Sequence, residues 1–181
     1  VPVLANYTAA GVTGVTDGSP TISPVGFMAV SIMASPSATD TTEATYGNIK
    51  AINDSLASAA VTGAKADTPL ELQAIVDAYK AILDSADGVA NNDAVNPTQA
   101  QYAAIGVNGV DTTQEESLLG DVLDTASRNG VATDAAAVDT VSKVQALANA
   151  VQAVMDGTAT QAQLESLGVT GVTSANLSSI Q

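Results

Sequence analysis

The chain has 181 residues with no Cys, Trp or His, and its 5 Lys and Arg face 19 Asp and Glu for a formal net charge of -14. Without imidazole or thiolate, the commonest routes to general-base catalysis, nucleophilic catalysis and ordinary zinc binding are closed, so a non-enzyme is expected. Lys50, Lys65, Lys80, Arg128 and Lys143 are too scattered to neutralise nucleic acid or an anionic leaflet, and the longest apolar run, Val25 to Ala34, is too short to span roughly 30 Å of hydrocarbon.

The first recognisable pattern is Tyr7-Thr8-Ala9-Ala10-Gly11-Val12-Thr13-Gly14-Val15. It recurs as Tyr102-Ala103-Ala104-Ile105-Gly106-Val107-Asn108-Gly109-Val110 and again as Leu164-Glu165-Ser166-Leu167-Gly168-Val169-Thr170-Gly171-Val172. Tyr7, Tyr102 and Leu164 share one position, and exchange of tyrosine for leucine points to a packing anchor with a polar tip rather than a chemical group. Between Val15 and Tyr46 the chain carries Gly18-Ser19-Pro20, Ser23-Pro24 and Ser35-Pro36 around the apolar run. Ser-Pro pairs favour extended or turn backbone, so a short extended or β embellishment is expected near residues 18–42, with a buried helix as the alternative. It either covers the side of a stack or docks into a neighbour as a donated strand.

Tyr46, Ile49, Ile52 and Leu56 mark one face of a helix. The next opens with Thr68-Pro69-Leu70-Glu71, in which Thr caps, Pro takes the first helical position and Glu completes a capping box. Its apolar face is Leu72, Ile75, Val76, Tyr79, Ile82 and Leu83. The polar stretch that follows is expected to be a loop. Its oxygen-bearing residues, Asp84, Asp87, Asn91 and Asp93 with Asn92 and Asn96 nearby, make it a candidate calcium site, although the spacing is not that of an EF-hand and the terminal bidentate Glu is missing. The alternative is a solvated turn with helix caps; no cofactor is required under either reading.

Asn96-Pro97-Thr98-Gln99 begins a short third helix carrying Tyr102 and Ile105, which Gly106 ends by adopting a left-handed conformation while Val107 folds back. Thr112 and Glu115 form another capping box, and Leu118, Leu119, Val122, Leu123 and Ala126 give a helix over 115–126. Glu115 and Glu116 do not face each other as a catalytic pair would, and first-turn acids are explained by the helix dipole. Val138, Val141, Val144, Leu147, Val151 and Val154 mark a long helix that Gly157 stops. A short helix starting at Thr158 with Gln161 follows, then Gly168. Val172, Thr173 and Leu177 fit a hydrophobic staple launching one more helix, so the segment reads as an excerpt or as a unit continued in a neighbouring molecule.

Two offsets set the modular expectation. Gly106 and Gly168 are 62 positions apart, whereas the block Leu72–Asp84 aligns with Val144–Asp156 at an offset of 72, which places a ten-residue insertion in the polar stretch after Asp84. One unit is therefore helix, helix, short helix and a Gly-Val-x-Gly-Val connector. The expected fold is mainly α, with tandem small helical-bundle repeats stacked end to end. Residues 1–17 end a preceding unit, 18–110 form a first unit with an N-terminal insertion, 111–172 form a second, and 173–181 start a next. With 46% of residues hydrophobic but only 3% aromatic, the helices are expected to approach closely through small side chains.

The Gln99-Ala100-Gln101-Tyr102-Ala103-Ala104-Ile105-Gly106-Val107-Asn108-Gly109-Val110 run and the Val144-Gln145-Ala146-Leu147-Ala148-Asn149-Ala150-Val151 block resemble helical tandem repeats of very large bacterial surface proteins. They look like the Ala/Thr/Asp-rich, cysteine-free repeat regions of type-I-secreted, RTX-like adhesins, over nearly the whole chain apart from about 18–42. The resemblance implies an extracellular spacer at the bacterial cell surface that serves attachment, aggregation or biofilm cohesion. The glycine-rich calcium nonapeptides of RTX domains are absent. Neighbouring repeats or like subunits are the expected partners. A self-assembling extracellular filament or surface layer is one alternative; a helical protein-binding module that takes a host or matrix protein is another.

Overall fold

In a computed structural model, the described residues are 1–17, 48–86, 96–125 and 138–181. Among them the fold is mainly α, with eight α-helices and no strand: α1 Leu4–Ala9, α2 Ile49–Ala57, α3 Pro69–Ser85, α4 Gln99–Ala104, α5 Thr113–Asp124, α6 Val141–Met155, α7 Gln161–Ser166 and α8 Leu177–Ile180. The expected embellishment at 18–42 lies outside these residues, as do Tyr46 and Ala126.

Local chemistry starts the helices where a threonine can accept a first-turn N–H. Thr68 with Glu71, Thr98 with Gln101, Thr112 with Glu115 and Thr160 with Gln163 all form reciprocal capping boxes. Thr160 corrects the expected start at Thr158. Both threonines precede a glutamine by three residues, but the Thr158 N–H is committed to the Ala153 carbonyl at 2.8 Å, in the turn that ends α6. The long helix likewise starts at Val141 with Thr140 as its cap, not at Val138. Val138 is fully buried ahead of it, its carbonyl accepting the Tyr79 hydroxyl at 3.0 Å. At the far end Val172 and Leu177 do pack together, yet the residue that launches α8 is Asn176 rather than Thr173.

The α3 helix sits at the centre, packed on α2, α4 and α5, while α6 lies against α5, α7 and α2. Their apolar faces form one cluster that runs from Tyr7, Val12 and Val15 through Ile52, Val76, Tyr79, Ile82 and Tyr102 to Leu119, Leu123, Val144 and Val151. Each fully buried Ile, Leu or Val contributes roughly 1.5–3 kcal/mol, against which the loss of chain entropy must be set. Ala159, Leu164 and Val172 form a separate, much smaller cluster. The anchor position is buried in all three copies of the motif, at Tyr7, Tyr102 and Leu164.

Candidate functional site: the clamped connectors

The short helices α1, α4 and α7 end in the same way. The N–H groups of Val12, Val107 and Val169 reach back to the carbonyls of Tyr7, Tyr102 and Leu164 at 2.9, 2.9 and 3.0 Å. The preceding glycines adopt the left-handed conformation this requires, with φ of 75° at Gly11, 92° at Gly106 and 84° at Gly168. The chain then presents the peptide of the next residue, Thr13, Asn108 or Thr170, at the surface.

Two of these peptides are held by a glutamine from a long helix. The Thr13 N–H donates to Gln73 Oε1 at 2.8 Å, and Gln73 Nε2 donates to the Thr13 carbonyl at 3.1 Å and to Asp77 Oδ1 at 2.8 Å. The Asn108 N–H donates to Gln145 Oε1 at 2.8 Å, and Gln145 Nε2 donates to the Asn108 carbonyl at 2.9 Å and to Asn149 Oδ1 at 2.8 Å. A primary amide is the one side chain whose donor and acceptor match a peptide edge, and the residue one turn on, Asp77 or Asn149, orients it. Sequence reasoning missed this role, because a glutamine on an exposed helix face reads as solubility. The available signal was its presence at the same position of both aligned blocks.

A second set of bonds follows the first and third connectors. Asn48 Oδ1 accepts from the Thr16 N–H at 2.9 Å and its Nδ2 donates to the Gly14 carbonyl at 2.7 Å; Asn176 does the same to Thr173 and Gly171 at 2.7 and 2.9 Å. The backbone N–H groups of Asn48 and Ile49 bond the Thr16 carbonyl, as those of Asn176 and Leu177 bond that of Thr173. Thr16 and Asn48 are therefore neighbours in space, so the chain leaves and returns at one point around the intervening segment.

Charged groups serve packing. Asp139, 4% exposed, accepts from Lys50 Nζ at 2.9 Å and from Lys143 Nζ at 2.5 Å. Burial pushes its carboxyl up, but the two ammonium groups outweigh this and hold it below the usual range. Asp54 accepts the Val141 N–H at 2.7 Å, supplying a first-turn N–H of α6 with a carboxylate from another helix. Glu115 accepts from the Asp111 and Thr112 N–H groups and the Thr112 hydroxyl, each at 2.9 Å, and these bonds depress its pKa. Glu116 accepts the Gln99 N–H at 3.1 Å. Both glutamates thus hold helix starts. Tyr102 has a buried hydroxyl with no hydrogen-bond partner among the described residues, and burial, then the charge of Glu116, push its pKa up.

Of the candidate calcium ligands, Asp84 is described and pairs with Lys80 one turn earlier on α3; Asp87, Asn91 and Asp93 lie outside the described residues. Asn96 packs its side chain against Gly120 of α5. Among the described residues no three acidic side chains come together as a metal site, and no helix is long and apolar enough to cross a membrane. Comparison with protein-family models, curated proteins and solved structures gave no match. The functional reading therefore rests on the residues of this chain.

Proposed function

We propose that this chain is a non-catalytic structural or adhesive segment of a bacterial cell-surface or extracellular protein, made of tandem small helical-bundle modules stacked end to end. Residues 18–110 and 111–172 are the two complete modules in this reading. One observation carries it: the amide of Gln73 grips the Thr13 peptide with the same two bonds by which Gln145 grips that of Asn108, each amide oriented by a third bond one turn on, to Asp77 or Asn149, so two connectors are locked to the helices that follow them. A connector fixed at both ends leaves successive modules little freedom to swing, and that stiffness suits a spacer. The described carboxylates support a structural role, since Glu71, Glu115 and Glu116 hold helix starts and Asp139 pairs with two lysines. Placement outside the cell is supported by the absence of thiols and by acidity that keeps the chain soluble through self-repulsion.

Antibodies raised against the chain test this on the cells that make it. Labelling of intact cells, removed by external protease, is expected; labelling that needs permeabilised cells overturns the placement. Solution scattering across a rising concentration series should give an elongated particle of constant mass. Mass that grows into fibres would favour the self-assembling filament instead.

A further inference from the structure

The third connector carries the same chemistry as the first two, but nothing among the described residues grips it. The N–H and C=O of Thr170 make no hydrogen bond with the described residues, whereas those of Thr13 and Asn108 are each held by a glutamine. Val169 is 41% exposed, against 4% for Val12 and 3% for Val107. A Cβ placed on Gly14 meets Val76 of α3 at 3.7 Å and one on Gly109 meets Gln152 of α6 at 3.2 Å, yet one on Gly171 meets nothing within 4 Å among the described residues. Three independent measures thus show a bare edge where two precedents in the same chain show a covering helix.

We propose that the edge formed by Val169, Thr170 and Gly171 is a docking site for a helix of this chain's own type, one bearing Gln with Asp or Asn four residues later. The two precedents fix the occupant's chemistry. Gln73 with Asp77, and Gln145 with Asn149, each present a primary amide to the connector peptide and an oxygen one turn on to orient it. Neither helix is free to serve the third site, because each already holds a connector. The bonds around Thr173, Asn176 and Leu177 match those around Thr16, Asn48 and Ile49, so the start of a helix of the α2 kind is already set beside the bare edge. In the first case the helix that follows α2 is the one that supplies the clamp. The occupant is accordingly the α3-like helix of a further module, and its amide bonds the N–H and C=O of Thr170 while its apolar face covers Val169.

This inference rests on the modular reading above, and amide hydrogen exchange separates the two. Residues 1–177 are continued with a second copy of residues 50–110 in place of residues 178–181, and exchange at Thr13 and Thr170 is compared in the parent and the extended chain. In the parent, slowed exchange at Thr13 with rapid exchange at Thr170 is expected. Rapid exchange at Thr13 there would sink the modular reading itself. In the extended chain Thr170 should slow by tenfold or more, and Gln73→Ala in the appended copy alone should restore its rapid exchange. A slow Thr13 beside a Thr170 that stays rapid, or that slows equally with the alanine variant, overturns the docking site. An appended copy that remains unfolded overturns it too, since the edge then fails to organise its helix.

Discussion

Gly120 lies inside α5, where a glycine normally costs roughly 1 kcal/mol relative to alanine. Here the side chain of Asn96 occupies the space: a Cβ on Gly120 would stand 2.2 Å from Asn96 Cγ and 2.6 Å from its Cβ. Gly120→Ala is therefore expected to destabilise by about 1–3 kcal/mol, as overpacking does, despite alanine's better helix propensity. Asn96→Gly in the same chain removes the obstructing atoms and should recover most of that loss, measured by denaturant midpoints across the double-mutant cycle. If Gly120→Ala alone stabilises, the close approach is not what selects glycine. A glycine inside a helical stripe hinted at a packing reason, but nothing in the sequence named Asn96 as the partner, because the two are distant along the chain. Caps were legible for the opposite reason: Thr68 and Glu71, or Thr112 and Glu115, complete their bonds within one turn. Even so, Thr158 and Thr160 satisfied the same pattern, and only the bond that ends α6 decided between them.

At the scale of a helix and its start, the chain provides its own control for charge. The third residue of the capping box is Glu at 71 and 115 but Gln at 101 and 163, so the neutral amide already does this work in α4 and α7. Glu115→Gln should therefore keep the fold while removing one carboxylate whose folded pKa is depressed, chiefly by the Asp111 N–H and then by the Thr112 hydroxyl. A carboxyl with a lowered folded pKa stabilises fully above its unfolded value, near 4.3 for glutamate, and loses that contribution as pH falls through the folded value. The stability difference between parent and variant should accordingly stay constant above about pH 5 and shrink below about pH 4. Taking the difference cancels the relief of self-repulsion that acid brings to so acidic a chain. Glu71 is a poorer choice for the same test, because its hydrogen bond and charge raise the pKa of Asp67 while its own is lowered, and the two shifts oppose each other. A difference that does not change with pH would mean that Glu115 holds its box no better charged than neutral. The helix stripes themselves were legible from apolar spacing at α3, α5 and α6. The true start of α6 was not, because Val138 continues the stripe while its carbonyl is taken by Tyr79 from another helix.

Across the whole molecule, stability is distributed unevenly, and the distribution follows from where the apolar side chains meet. A single cluster ties Tyr7 to Val151 and includes the fully buried Ile52, Tyr79, Tyr102, Leu119 and Val144, so α2 to α6 have no apolar seam along which to part. Polar bonds cross the same region, among them Tyr79 to Val138, Asp54 to Val141 and Lys50 to Asp139. The stretch that carries α7 and α8 rests mainly on Ala159, Leu164 and Val172, with Ala153, Val154 and Leu177 partly covered around them and the partly buried Leu167 packed against the larger cluster. At roughly 1.5–3 kcal/mol for a buried aliphatic side chain, that cluster returns only a few kcal/mol, while ordering each residue costs about 1–2 kcal/mol of backbone entropy. Helical hydrogen bonds and caps offset much of that cost, but the margin is thinner than for α3 and α6. Residues from about 158 onward should thus open in a local step below the global transition, with amides of α7 exchanging at least about tenfold faster than those at the centre of α3, a gap of about 1.4 kcal/mol or more. Leu164→Ala should widen the gap by speeding exchange in α7 while leaving the amides of Ile75 to Leu83 unchanged, because its side chain belongs to the smaller cluster. Uniform protection from α3 through α7, or an equal loss in both upon Leu164→Ala, would show the two clusters to be one cooperative unit.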